Sequence, residues 1–254
     1  MFWQQIEMLH KPRSSRCLFY HTAHRDTSGA GKGIGMAQIT LVRHGQANSA
    51  SQDETGYDKL SPLGHQQAHW LGDYLRSTGA AFDSVWCGTL RRHIETSDGM
   101  QAQRYAPVVQ DPRLNELAYF DLSMSYLAFS GERTPTTREG FITHMPRLLS
   151  AWQDGHLQNV PESFAAFEDR VARAIEDIAA RSDRALVVTS GGLIGMVARQ
   201  VMGLDTESYA RMCLAIMNTS THRVVRIGQT LNLAQFNSVA HLAQTDRHFA
   251  QTHI

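Results

Sequence analysis

Arg43-His44-Gly45 follows directly on the apolar run Ile39-Thr40-Leu41-Val42. A short β-branched run ending in a basic pair and a glycine reads as a buried strand that delivers a histidine to its C-terminal end. Open α/β sheets bind ligands at that edge, which makes His44 a candidate nucleophile for phosphoryl chemistry. Two more segments carry reactive or anion-binding types just after runs that read as strands: Leu90-Arg91-Arg92 with Glu95-Thr96, and Leu114-Asn115-Glu116. In a parallel sheet such turns share one edge, so two guanidiniums, an imidazole and a carboxyl converge on one crevice. That inventory suits a phosphomonoester.

The elements that must position these groups alternate from Ile39 onward. Ser61-Pro62 marks the start of a helix whose apolar positions Ala68, Leu71 and Leu75 face one way, with Gly79 closing it. Ser84-Val85-Trp86-Cys87 is the second strand, followed by a helix over about 90–102, and Ala106-Pro107-Val108-Val109 is a short third strand. From about 118 to 161 the rhythm breaks, with Pro135, Pro146 and a helical stretch from Phe141 to Trp152; an insertion of this kind is a natural cap over a pocket. Regular order returns in an amphipathic helix over 162–181 with the stripe Phe164, Phe167, Val171, Ala174, Ile175 and Ile178. The run 185–189 is a fourth, buried strand ending at Ser190-Gly191-Gly192 before another helix, and 223–227 and 230–236 flank Gly228-Gln229 as an antiparallel hairpin at the sheet edge. The expected fold is α/β, a three-layer αβα sandwich with a mostly parallel sheet and an antiparallel edge.

With 254 residues, 42% hydrophobic and 19% charged, the chain fits one large domain, expected over 37–254. Residues 1–36 lack apolar periodicity and read as a flexible extension, with Met36 a plausible alternative start. The run Ser28-Gly29-Ala30-Gly31-Lys32-Gly33 fails the spacing of dinucleotide and Walker loops and precedes a strand. Lys+Arg and Asp+Glu both number 24, so nothing argues for a nucleic-acid or membrane-surface binder, and anion recognition must be local. Cys17, Cys87 and Cys213 form no Cys-x-x-Cys pair, and no run approaches a membrane span or a signal sequence; a cytoplasmic protein is expected. His65 and His69 have helical ligand spacing but no third ligand is evident, and neither metal nor cofactor is called for.

Four segments in order resemble the histidine phosphatase superfamily, in its phosphoglycerate-mutase-like branch, over about 38–242. They are the strand with Arg43-His44-Gly45, the helix start Leu60-Ser61-Pro62-Leu63-Gly64-His65-Gln66-Gln67-Ala68, the segment 88–96, and Leu114-Asn115-Glu116. Where members show Ser-Pro-Leu-x-Arg-Ala-x-Gln-Thr, this chain reads Gly88-Thr89-Leu90-Arg91-Arg92-His93-Ile94-Glu95-Thr96, which puts Arg92 at the phosphate-binding arginine. The resemblance implies attack by neutral His44 on phosphorus, a phosphohistidine hydrolysed by water, Arg43 and Arg92 on the equatorial oxygens, and Glu116 protonating the leaving alkoxide. Asn48, close to the place of a missing family asparagine, and Gly191 would add contacts to the phosphate.

The departure lies after the fourth strand. The family pattern Ser-His-Gly-Gly reads Thr189-Ser190-Gly191-Gly192 here, so a cationic donor becomes the neutral hydroxyl of Ser190. A histidine placed at 190 is therefore expected to restore a donor, provided it fits. The residues Leu117-Ala118-Tyr119-Phe120 do not continue as in true phosphoglycerate mutases, which favours a phosphatase acting on a small phosphorylated molecule or a phosphoprotein. Two alternatives follow from Ser190: a weakly active or non-catalytic phospho-ligand binder, and a serine hydrolase using Asp205 with His222 or His241. Against the latter, Val188 stands where a nucleophile elbow wants glycine.

Overall fold

The computed structural model describes residues 37–48, 51 and 53–253. The expected N-terminal extension, 1–36, and Cys17 within it lie outside the described residues. The elements in chain order are β1 (Gln38–Arg43), α1 (Glu54–Tyr57), α2 (Pro62–Ser77), β2 (Ser84–Cys87), α3 (Arg91–Gly99), β3 (Val108–Gln110), α4 (Tyr119–Ser130), α5 (Arg138–Gln153), α6 (Phe164–Arg181), β4 (Arg184–Thr189), α7 (Gly191–Met202), α8 (Thr206–Ala215), β5 (Thr221–Ile227) and β6 (Thr230–Ser238).

The six strands form one mixed sheet in the order β3-β2-β4-β1-β5-β6. The first four are parallel; β5 runs antiparallel to β1 and pairs with β6 as an edge hairpin. Period-two alternation splits the side chains between two cores. Val42, Val85, Cys87, Leu186 and Val188 pack with Ala68, Leu71 and Leu75 of α2, whereas Ile39, Leu41, Trp86, Ala185 and Val187 pack with Phe167, Val171, Ile175 and Ile178 of α6. Helices therefore cover both faces, as the sequence implied, and the C-terminal ends of the parallel strands share one edge.

Three element readings change. The helix read over 90–102 stops as α3 at Gly99, and the third strand is Val108–Gln110, one or two residues later than read. The segment 118–161 holds two helices: α5, with Pro146 inside it, and α4, which sequence reading missed. Helix α4 lacks a polar stripe, since Met124, Leu127 and Phe129 are exposed while Leu122 and Tyr126 are buried, so periodicity carried no signal there.

Candidate active site

Helix α2 clamps the loop that carries His44. Ser61 caps the helix by accepting from Gly64 N at 3.0 Å and donates its hydroxyl to Gln46 Oε1 at 2.7 Å, while Gln67 Oε1 accepts from Gln46 N at 2.8 Å. A Cβ on Gly64 would fall 2.1 Å from Gln46 O, and one on Gly45 would fall 2.4 Å from Gly64 O, so this approach demands glycine on both sides. Gly45 N also donates to Thr96 Oγ1 at 3.0 Å, tying the loop to α3.

His44 is 2% exposed. Its Nδ1 lies 2.7 Å from Gly45 O; a carbonyl can only accept, so Nδ1 carries the proton and Nε2 the lone pair. Burial, then the charges of Arg92, Arg43 and His93, hold the imidazole well below the usual histidine range and keep it neutral.

Arg43 is also buried; one terminal N–H donates to Ile216 O, while Nε has no partner and no carboxylate pairs with the group among the described residues. A desolvated guanidinium in that state is a demand for an anion. The side chain of Arg92 is 2% exposed, pairs with Asp58 Oδ1 at 3.0 Å and lies over the Tyr57 ring at 5.1 Å. The same Asp58 carboxylate accepts from Arg91 N at 2.9 Å and Arg92 N at 3.1 Å, capping α3 from outside the helix. Arg91 itself is 66% exposed and pairs with Glu95, whereas Arg92, which the resemblance aligned with the family arginine, is buried.

Glu116 accepts from Gly192 N and Leu117 N, each at 3.0 Å, which aims its carboxyl at the start of α7. Burial raises its pKa against the opposing pull of those two bonds and of Arg92 and Arg43. Gly191 opens α7, where a Cβ would sit 3.5 Å from Arg43 Nε. Thus His44, Arg43, Arg92, Glu116, Ser190 and Gly191 come to one strand edge. Asn48 is committed to its own loop, donating Nδ2 to Gly56 O at 3.0 Å.

The signature of the histidine phosphatase superfamily, branch 1, matches residues 39–239. The chain belongs to this superfamily. As a histidine phosphatase and phosphoglycerate-mutase-like enzyme family member, it is 26% identical to the adenosylcobalamin/alpha-ribazole phosphatase of Escherichia coli (strain K12) over 67% of this chain and 82% of that one. It is 27% identical to a 2,3-bisphosphoglycerate-dependent phosphoglycerate mutase of Streptococcus sanguinis over 59% and 70%. Among solved structures, a mutant phosphoserine phosphatase of Entamoeba histolytica in complex with phosphoserine superposes with a TM-score of 0.61 at 18% identity, covering 82% of this chain and all of that one. A phosphoglycerate mutase from Bacillus anthracis gives the same TM-score and identity over 82% and 96%.

The same strand edge holds groups that sequence reading missed. His93, fully buried, has its ring 5.8 Å from that of His44 and shares a 2.5 Å hydrogen bond with Ser190 through Nε2. The signal was present, since His93 is the residue after Arg92 inside a segment already singled out. Tyr57, the last residue of α1, and Asp58 just after it carried none, because their partners are set by tertiary approach. Tyr57 also meets Phe120 edge-on at 6.0 Å, which brings the start of α4 beside Arg92.

The serine-hydrolase partners are elsewhere. Asp205 caps α8, His222 bonds Ser220 and His241 bonds Thr219. Ser190 has an extended backbone (φ −119°, ψ 167°) without the strain of an elbow, and His93 Nδ1 has no orienting carboxylate among the described residues. The histidines with helical ligand spacing lie at the surface, His65 with Glu95 and His69 with Asp73. No helix of the described residues is long and apolar enough to cross a membrane.

Proposed function

We infer that this chain is a cytoplasmic phosphomonoester hydrolase working through a phosphohistidine on His44. The observation that carries the reading is a buried, neutral imidazole whose Nδ1–H is fixed on Gly45 O, set at a strand edge with a buried guanidinium, Arg43, that lacks a carboxylate partner among the described residues. Nε2 attacks phosphorus and the bond to the ester oxygen breaks; that oxygen takes the bonding pair and receives the proton of Glu116. Water then attacks the phosphohistidine and gives a proton to the Glu116 carboxylate. The P–N bond breaks, and orthophosphate leaves with the imidazole neutral again. Arg43 and Arg92 offset charge on the equatorial oxygens, where a loose transition state concentrates it.

Hydrolysis is favoured over mutase activity because no Lys, Arg or His occurs from Leu117 to Glu132, so the segment after Glu116 offers no cation for a second anionic group of a bisphosphate or phosphoacid. The substrate class is a small phosphorylated molecule or a phosphoprotein. A panel of phosphomonoesters assayed with chelator present tests the reading: wild type is expected to release phosphate and His44→Ala to lose at least about 1,000-fold in kcat. Phosphate binding without release from any member would instead identify a phospho-ligand binder.

A further inference from the structure

Resting on that reading, a second feature of the site goes beyond it. The register Arg43↔Thr189, with His44 N donating to Thr189 O at 2.9 Å, makes His44 and Ser190 neighbours at the ends of adjacent parallel strands. Arg43 and Thr189 reach toward Ile216 O and Leu114 O. By strand alternation, His44 and Ser190 both face the opposite side, where α3 presents His93. Ser190 is fully buried and makes no side-chain bond to its own helix α7, although it stands at the helix N-cap. Its hydroxyl bonds His93 instead.

The neighbourhood of His93 fixes the direction of that bond. Nδ1 has no partner among the described residues; it faces Gly88, where a Cβ would fall 2.1 Å away, and nearby Asn115 Oδ1 accepts from Thr89 N at 2.7 Å. A buried N–H without an acceptor is rarer and costlier than a buried lone pair without a donor. The proton therefore belongs on Nε2, which donates to Ser190 Oγ. A serine hydroxyl has one proton, and with an oxygen lone pair engaged by His93 that proton is left to turn toward the His44 side.

We propose that His93 is a positioning residue that makes Ser190 a hydrogen-bond donor to the transferring phosphoryl group. Gly88, His93 and Ser190 each depart from the motif patterns given above, and all three meet at this one bond. A single donor at the end of β4 is thereby divided between two elements. The same geometry bears on the expectation for a histidine at 190, since a longer side chain directed along this bond meets the His93 ring, whose Nε2 lies 2.5 Å from Ser190 Oγ.

Long-range 1H–15N correlation of the ring nitrogens in wild type tests the bond without any substitution. A protonated Nε2 on His93 is expected, and a protonated Nδ1 would overturn the assignment. Turnover of p-nitrophenyl phosphate and inhibition by vanadate test the role, using Ser190→Ala, His93→Phe to fill the space without a donor, His93→Gln to keep one, and the double variant Ser190→Ala/His93→Phe. Loss of one hydrogen bond to a charged group corresponds to about 10- to 100-fold. Ser190→Ala and His93→Phe are each expected to lower kcat and vanadate affinity by that factor with KM nearly unchanged. The double variant should lose no more than the worse single one, and His93→Gln should recover part of the loss. Multiplicative losses in the double variant, or a His93→Phe protein with wild-type kcat, would overturn the proposal. If wild type binds vanadate yet turns over no phosphomonoester, the hydrolase reading fails while the binding arm still decides the role of His93.

Discussion

Glu116 is where charge and burial are most finely opposed: burial raises its pKa while two backbone amides and two arginines pull the other way. If its task is to protonate the leaving oxygen, its removal must hurt poor leaving groups most. Glu116→Gln is expected to lower kcat/KM for an alkyl phosphate by about 100- to 10,000-fold, the usual range for general acid catalysis, and for p-nitrophenyl phosphate by no more than about 10-fold. Equal losses on both esters would assign Glu116 to structure. At this scale the sequence was informative where a residue's placement is fixed by its own chain neighbours. His44 directly follows β1, Glu116 lies just beyond the short turn Pro112–Leu114 after β3, and Arg92 rather than Arg91 faces inward from α3. It was uninformative where a role is set by a partner far along the chain. Ser190 looked like a simple loss of a histidine because its partner His93 is 97 positions away.

The helix α2 is a device for holding one loop. Its capping serine, its close-approach glycine and its glutamine all act on Gln46, two residues beyond His44. Gly64→Ala would drive a methyl into Gln46 O, and the resulting strain of about 1–3 kcal/mol is expected to displace the loop and lower kcat by at least about 10-fold. Gly79 at the other end of α2 has φ +68° and no atom within 4 Å of where a methyl would stand, so Gly79→Ala should cost about 1–2 kcal/mol of stability and leave kcat unchanged. Thermal melts with steady-state assays on both variants separate the two effects. The motif around Ser61 and Gly64 was readable as a helix start, and the fold explains why glycine stands inside it. Helix α4 was not readable, because apolar residues surround it on all sides.

The whole molecule keeps several imidazoles neutral in its interior, and this gives its stability a definite pH dependence. Burial first and Arg43 second push His222 down to about 3; burial and Arg247 push His241 down to about 4. The unfolded chain binds these protons near pH 6.5 and the folded one does not, so the stabilisation is full above that pH. It declines as pH falls toward about 4 and about 3, where the folded protein takes up the protons too. Each group contributes a slope of about 1.4 kcal/mol per pH unit in that window. His44 and His93, also held well below the usual range, add to it with the same sign. Urea unfolding between pH 7 and 4.5 is expected to show stability falling steadily with acidity, and a flat profile would mean these rings are not buried as described. The layered sheet with its antiparallel edge was legible because strand runs, turn glycines and the amphipathic α6 agree with one another.

On the proposed mechanism His44 forms a covalent bond to phosphorus. The most direct measurement is rapid mixing with a 32P-labelled phosphomonoester, quenching in alkali, and mapping of the label on the denatured chain. Base-stable, acid-labile phosphate on the peptide containing His44, appearing faster than steady-state turnover and absent from His44→Ala, is the expected result. Turnover at the wild-type rate in His44→Ala, or label found on any other residue, would contradict the account.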